Sequence, residues 1–385
     1  MKKFLAMTLA LVMALSLAAC GGKKDEAPAE ETKEPEQTEE PAAAEYSVAM
    51  ITDYGDITDQ SFNQTTYEAC KAYCEANGVQ FNYFKPAGDS TAERVAMVES
   101  AVDEGYNVVV MPGYAFGETI TQVADEYPDV KFIALDVGEA DLGDYTLPEN
   151  VYCAVYQEEL CGYMAGYAAV KLGYTHLGFL GGMAVPAVVR YGYGFVQGAD
   201  AAAAATGADV TVEYVYGNQF FGDADITAYM DNWYQTLGVQ AVFACGGGIF
   251  ASAAEAAAKV EGAKVIGVDV DQAAIIDGDY GEGMTVTSAM KGLAPTVEHM
   301  LSEVAAGNFA NYGGKIETLG LVSGDDPTAN YVQIPMETTQ FGDGFTQDDY
   351  KALVKDMFDG KITVSNDITA MPEVAIAVNE YGNIK

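Results

Sequence analysis

Histidine is almost missing from this chain. His176 and His299 are the only two, and neither stands beside a plausible nucleophile, which argues against a serine or cysteine triad. No Gly-x-Ser-x-Gly elbow occurs. Gly246-Gly247-Gly248 is not followed by Gly-Lys-Ser/Thr, and no G-x-G-x-x-G leads to a downstream acidic residue in the first unit. Phosphate loops and dinucleotide fingerprints are therefore absent as well. Basic residues are scarce: 19 Lys and Arg face 57 Asp and Glu, giving a formal charge of −38. Such a surface repels phosphate backbones, so nucleic acid is not an expected partner. The six cysteines, Cys20, Cys70, Cys74, Cys153, Cys161 and Cys245, show no metal-ligand spacing with a histidine nearby. Neither a metal nor a cofactor is expected. Beyond the N-terminus no apolar run reaches the ~20 residues of a membrane span.

Half of the 385 residues are apolar, enough for two cores of ordinary size. At the N-terminus, Lys2 and Lys3 precede an uncharged apolar run from Phe4 to Ala19. Leu17-Ala18-Ala19-Cys20 closes it, a secretory signal with a small-residue cleavage site. Residues 1–19 are read as the signal and residues 20–45, rich in Glu, Pro, Ala and Thr, as an acidic flexible tether that cannot bury enough surface to order itself.

From Tyr46 onward, β-branched apolar runs alternate with Ala-rich helical stretches. The runs are Ser47–Thr52, Val79–Phe84, Asn107–Pro112, Lys131–Asp136, Val151–Val155, His176–Gly181, Asp209–Tyr216, Val239–Cys245, Lys264–Asp269 and Met284–Ser288. Helices are expected at Ser61–Ala76, Thr91–Glu104, Gly117–Glu126, Glu158–Leu172, Tyr191–Thr206, Asp223–Leu237 and Ala251–Val260. Continuous apolar strands separated by helices predict parallel sheets covered on both faces, an α/β chain of two Rossmann-like three-layer domains. The first lobe is placed at residues 46–155, completed by about 289–320, and the second at 156–288, completed by part of 321–385. Hinges are expected near Val155, Ser288 and a third strand later on, and the last third mixes helices with strands such as Tyr331–Pro335. Many strands end in Gly or Asp: Asp53, Gly113, Asp136, Gly181-Gly182, Gly246-Gly247-Gly248 and Asp269. Ligands bind beyond the carboxyl ends of strands in open α/β sheets, so these ends are the candidate site, although Gly and Asp also serve simply as turns and caps.

The richest stretch is Asp53-Tyr54-Gly55-Asp56-Ile57-Thr58-Asp59-Gln60-Ser61-Phe62-Asn63-Gln64, between the first strand and its helix. It offers carboxylates, an amide and a ring, the means to hold a flat polar heterocycle. It resembles the signature of the basic membrane protein family, the PnrA-like nucleoside-binding lipoproteins of ATP-driven importers. Gly113-Tyr114-Ala115-Phe116, Glu158-Glu159-Leu160-Cys161-Gly162, Gly194-Phe195-Val196-Gln197-Gly198 and Val265-Ile266-Gly267-Val268-Asp269 resemble further blocks of that family in order. The likeness extends over most of residues 47–300. It implies a type I periplasmic-binding-protein fold and lipidation at Cys20, where a lipobox-like site ends. Partners implied are a purine nucleoside, permease subunits of an ABC transporter and the membrane, with the body on the extracytoplasmic face. Carried over residue by residue, Asp53, Asn63 and Asp136 would address the base and Phe62 would stack on it. Asp269 and Lys291 would hold the ribose, and Gly246 and Gly247 would admit backbone to the ligand. A second ring would come from Phe220 or Phe221, where Gly217-Asn218-Gln219-Phe220-Phe221 departs from the family pattern.

Other roles stay open at this point. Asp59 and Asp271 read as helix caps, Trp233 as packing, and Lys291 has a solvated surface position as its plainer reading. Cys70 and Cys74 are either a disulfide or two buried thiols. A same-fold receptor for a sugar or signalling molecule is the alternative function. A surface enzyme is a weaker one, left open by the abundant carboxylates.

Overall fold

The computed structural model describes residues 46–385, so the expected signal, Cys20 and tether lie outside the described residues. Among the described residues, thirteen strands build two sheets. β1 (Val48–Ile51), β2 (Phe81–Phe84), β3 (Val108–Pro112), β4 (Lys131–Leu135), β5 (Val151–Tyr156) and β11 (Lys315–Leu319) form the first, in the order β11-β5-β4-β3-β1-β2. All its pairings are parallel. The second comprises β6 (His176–Gly181), β7 (Thr211–Tyr216), β8 (Ala241–Cys245), β9 (Lys264–Asp269), β10 (Thr285–Lys291), β12 (Val332–Gln333) and β13 (Ala377–Asn383). Its order is β12-β10-β9-β8-β6-β7-β13, parallel except where β12 meets β10. Central strands such as β1, β3 and β8 are buried along their whole length, the expected consequence of helices on both faces.

The chain passes from the first sheet to the second between β5 and β6, returns between β10 and β11, and passes again between β11 and β12. β10 runs three residues beyond the expected Ser288, so the second crossing begins after Lys291, which stands at the strand's end. β11 and β13 were not legible as strands. Both are edge strands with charged, part-exposed residues, so neither carries a continuous apolar run.

Two helices of the second sheet's layer, Glu158–Lys171 and Pro186–Thr206, pack backbone to backbone. The second begins five residues before the expected Tyr191, with Pro186 at its first turn. Glycines knit the seam reciprocally. A Cβ at Gly162 or Gly166 would strike the carbonyls of Tyr191 or Phe195, and one at Gly194 or Gly198 the carbonyls of Glu159 or Tyr163. The expected helix to Leu237 ends at Asn232 and continues as a wider turn, Trp233–Leu237. Trp233 is buried against Gly178, a packing position. Cys70 and Cys74 are buried and not joined to each other.

Candidate functional site

The carboxyl ends of both sheets enclose a cavity of about 550 Å³, within the range of small-ligand sites. Every residue expected at the site other than Cys20 lines it: Asp53, Phe62, Asn63, Asp136, Phe220, Phe221, Gly246, Gly247, Asp269 and Lys291.

On the first sheet, Asp53 follows β1 and its Oδ1 accepts the amides of Tyr54 and Gly55, both at 2.7 Å. Burial raises its carboxyl above the usual range against the pull of those amides. Small residues make the room: a Cβ at Gly55 would strike Asn63 Nδ2, and one at Gly113 would come within 3.1 Å of the Asp53 carboxylate. Asp59 caps the helix Phe62–Asn77, accepting the amides of Ser61, Asn63 and Gln64 at 2.9–3.0 Å. Its Oδ2 also takes Asn63 Nδ2, and Asn63 Oδ1 is left buried with no protein partner.

On the second sheet, Asp269 ends β9 with φ 65, and Asp136 follows β4 on the first sheet with φ 62. Two non-glycine residues held in the left-handed region store local strain, and they lie on facing walls of one cavity. Gly246 (φ 155) and Gly247 (φ 52) close the turn after β8, yet a side chain there would meet Gly182 and the Phe220 carbonyl rather than open space. The pair therefore admits the loop that carries Phe220. That ring packs against Gly182, where even a Cβ would strike it, whereas Phe221 is 57% exposed.

Lys291 is the centre of the charge arrangement. It is buried, not solvated, with Nζ 2.5 Å from Asp136 Oδ2, 3.4 Å from Glu158 Oε1 and 3.7 Å from Asp269 Oδ1. Its ammonium also sits 4.8 Å from the centre of the Phe62 ring, with Tyr156 and Tyr191 at 5.5 and 5.6 Å. Burial alone would lower its pKa, but Asp136, Asp269 and Glu158 outweigh that and raise it. Asp136 is pushed up to about 6 by burial, with Lys291 pulling the other way. Glu158, fully buried, receives Arg190 Nε at 2.6 Å on its other oxygen. Three carboxylates thus share one lysine, and an arginine neutralises the excess from behind.

Several of these groups escaped the sequence reading as site residues: Glu158, Arg190, Ser61, Tyr191, Tyr54 and Tyr114. Glu158 was legible only as an acidic start to an otherwise apolar helix. Tyr54 and Tyr114, which line the cavity, send their hydroxyls to Met183 Sδ at 3.4 and 3.9 Å, a contact that no local pattern announces. Cys245 lines the cavity, but burial drives its thiol well above the usual range, which leaves it protonated and unreactive. Among the described residues no group of three or more His, Cys, Asp or Glu is placed to hold a metal ion, and no helix is long and apolar enough to cross a membrane.

A sequence profile for ABC transporter substrate-binding proteins of the PnrA-like, or Bmp, type matches residues 46–326. The chain belongs to this family. Bmp-family members are solute-binding proteins of ABC transporters and not enzymes. Among curated relatives, the CD4+ T-cell-stimulating antigen of Listeria innocua is 29% identical, covering 82% of this chain and 87% of the Listeria protein. The ABC transporter nucleoside-binding protein BmpA of Lactococcus lactis is 26% identical over 82% of this chain and 88% of its own length. Basic membrane protein B of Borreliella burgdorferi is 25% identical, over 74% and 81%. An ABC transporter solute-binding protein from Conexibacter woesei superposes with a TM-score of 0.64 at 24% identity, covering 83% of this chain and 99% of that one. One from Aeropyrum pernix gives 0.63 at 22%, covering 83% and 87%. These likenesses establish the periplasmic-binding-protein fold for the Bmp chain.

Proposed function

We propose that this Bmp-family protein captures a nucleoside, most simply a purine nucleoside, by closing two lobes on it and presenting it to an ABC permease. Held by lipid at Cys20, it would work on the extracytoplasmic face of the membrane. The lobes of this reading are residues 46–155, completed after the crossing that follows Lys291 by residues up to about 320, and residues 156–291, completed by part of 321–385. The observation that carries it is the composition of the cavity walls. Phe62 from one sheet and Phe220 from the other provide aromatic faces, and amide and carboxylate groups stand around them. A planar base between rings, with Asp53, Asn63 and Asp136 on its polar edge, uses each of these groups. Asn63 Oδ1, buried and unpartnered, is an acceptor such a base would satisfy. Asp269 as acceptor and Lys291 as donor suit a ribose diol. Phe220, anchored on Gly182, is the better platform; Phe221 forms the outer rim.

Ligand that touches both lobes stabilises the closed form through contacts the open form cannot make, and the permease then recognises that form. Two stacked rings and satisfied polar partners support micromolar binding, about −8 kcal/mol. The test is one calorimetric panel of nucleosides, free bases and sugars against the purified full-length chain. Binding of ribonucleosides at micromolar or better, with sugars inert, is expected. Binding of a sugar with nucleosides inert overturns the reading.

A further inference from the structure

Serine directly before a helix ordinarily caps it by accepting an amide of the first turn. Ser61 stands in that position before Phe62–Asn77 and makes no such bond, because Asp59 has taken the amides. Its hydroxyl is free for another use. Ser61 is completely buried, and its Oγ donates at 2.7 Å to Oδ2 of Asp269, at the carboxyl end of β9 on the other sheet. A second bond runs alongside: Gln272 Nε2 donates to the Gln60 carbonyl at 3.2 Å. Gln272 is itself fixed, its Oε1 accepting the Val268 amide at 2.9 Å. Two residues of the loop after β1 are thus bonded to the last residue of β9 and to a residue of the loop that follows it, bridging the sheets.

With Oδ2 taken by Ser61, the remaining Asp269 oxygen, Oδ1, faces the Tyr191 hydroxyl at 3.3 Å and the Lys291 ammonium at 3.7 Å. One carboxylate is therefore oriented by a donor from each side. Separation of the sheets would remove the Ser61 donor and release the carboxylate to rotate. We propose that Ser61 is a positioning residue that fixes Asp269 for a ribose hydroxyl only when the cleft is shut, so that closure and the choice of ribonucleoside over deoxyribonucleoside are one event. This rests on the nucleoside reading above and adds to it the group that makes sugar recognition conditional on closure. The bond joins a hydroxyl to a carboxylate and both residues are buried, the strong class of side-chain hydrogen bond.

The experiment is calorimetry on the full-length chain with adenosine, inosine and their 2′- and 3′-deoxy counterparts, for wild type, Ser61→Ala, Asp269→Ala and the double variant. Ser61→Ala is expected to weaken ribonucleosides about tenfold or more, leave the deoxy compound that lacks the Asp269 contact within about twofold, and add nothing in the Asp269→Ala background. An equal loss for ribo and deoxy ligands, or an undiminished Ser61→Ala effect without Asp269, reduces Ser61 to a structural contact and overturns the proposal. So does a wild type that binds both sugars equally well. A wild type that binds no nucleoside at all overturns the site reading itself, an outcome distinct from the other three.

Discussion

Replacing Lys291 by Met removes the single cation that Asp136, Glu158 and Asp269 share at 2.5–3.7 Å, while keeping the stem's apolar volume. Deleting one partner of a buried ion pair strands the other charges, which costs about 3–5 kcal/mol. The loss should depend on pH in a definite direction. Asp136 already has its carboxyl at about 6 in the folded chain, above its unfolded value of 3.8, so the folded state holds the extra proton. For such a group stability falls as pH rises through that window. Without Lys291 the folded value climbs further, at about 1.4 kcal/mol for each pKa unit. At pH 5 Asp136 is largely neutral in both proteins, and the deficit should shrink to roughly 1–2 kcal/mol. At pH 8 the full penalty appears. Lys291, raised above 10.5 in the fold, stabilises wild type at both pH values and so does not mask the difference. Urea unfolding followed by the fluorescence of Trp233, the only tryptophan and a buried one, measures both deficits. A Lys291→Met deficit that is equal at pH 5 and 8, or below about 1 kcal/mol at pH 8, would refute the idea that Lys291 neutralises this cluster.

Glu159→Gln should do the opposite. Burial raises Glu159 to about 7 and its Oε2 has no hydrogen-bond partner, so the group stays protonated up to about that pH and ionises above it at a cost to the fold. From 4.5 to about 7 the penalty is roughly 3 kcal/mol as an upper figure, so the variant should gain stability at pH 8 and little at pH 4, in melts run side by side. Gly166→Ala places a methyl against the Phe195 carbonyl in the helix seam and should cost about 1–3 kcal/mol in urea unfolding; a neutral result would mean the seam opens freely. Asp269→Ala should weaken ribonucleoside binding more than it weakens folding, and unchanged calorimetric affinity removes Asp269 from the site. Phe62→Ala should cost about tenfold or more in affinity for any planar ligand, since an aromatic contact contributes about 0.5–1.5 kcal/mol beyond its buried area; an unaltered affinity would exclude Phe62 as the platform.

Local periodicity carried much of the fold. A strand buried on both faces must be apolar throughout, so β1, β3, β8 and β9 announced themselves in the sequence, and the Gly or Asp after each announced the sheet edge. β11 and β13 were silent because an edge strand with one neighbour and an exposed face has no such requirement. Asp53, Asp136 and Asp269 could be nominated as site candidates because they stand at strand ends, whereas Asn63, inside the first helix, and the roles of all four came from the family resemblance.

What local sequence could not supply is contact between chain segments far apart. Lys291 and Asp136 lie 155 positions apart, and Ser61 and Asp269 lie 208. Whether a lone lysine is a solvated surface group or the counter-ion of three carboxylates depends on where the crossings between sheets bring its strand end. Likewise only Gly182 beneath the ring separates Phe220 from its exposed neighbour Phe221. The sequence determined which groups stand at each sheet's rim, because strand length and turn chemistry are local. The tertiary structure alone decided which rims face each other, and with them the charge state of Lys291 and Asp136, because burial and Coulomb energy act through space and not along the chain.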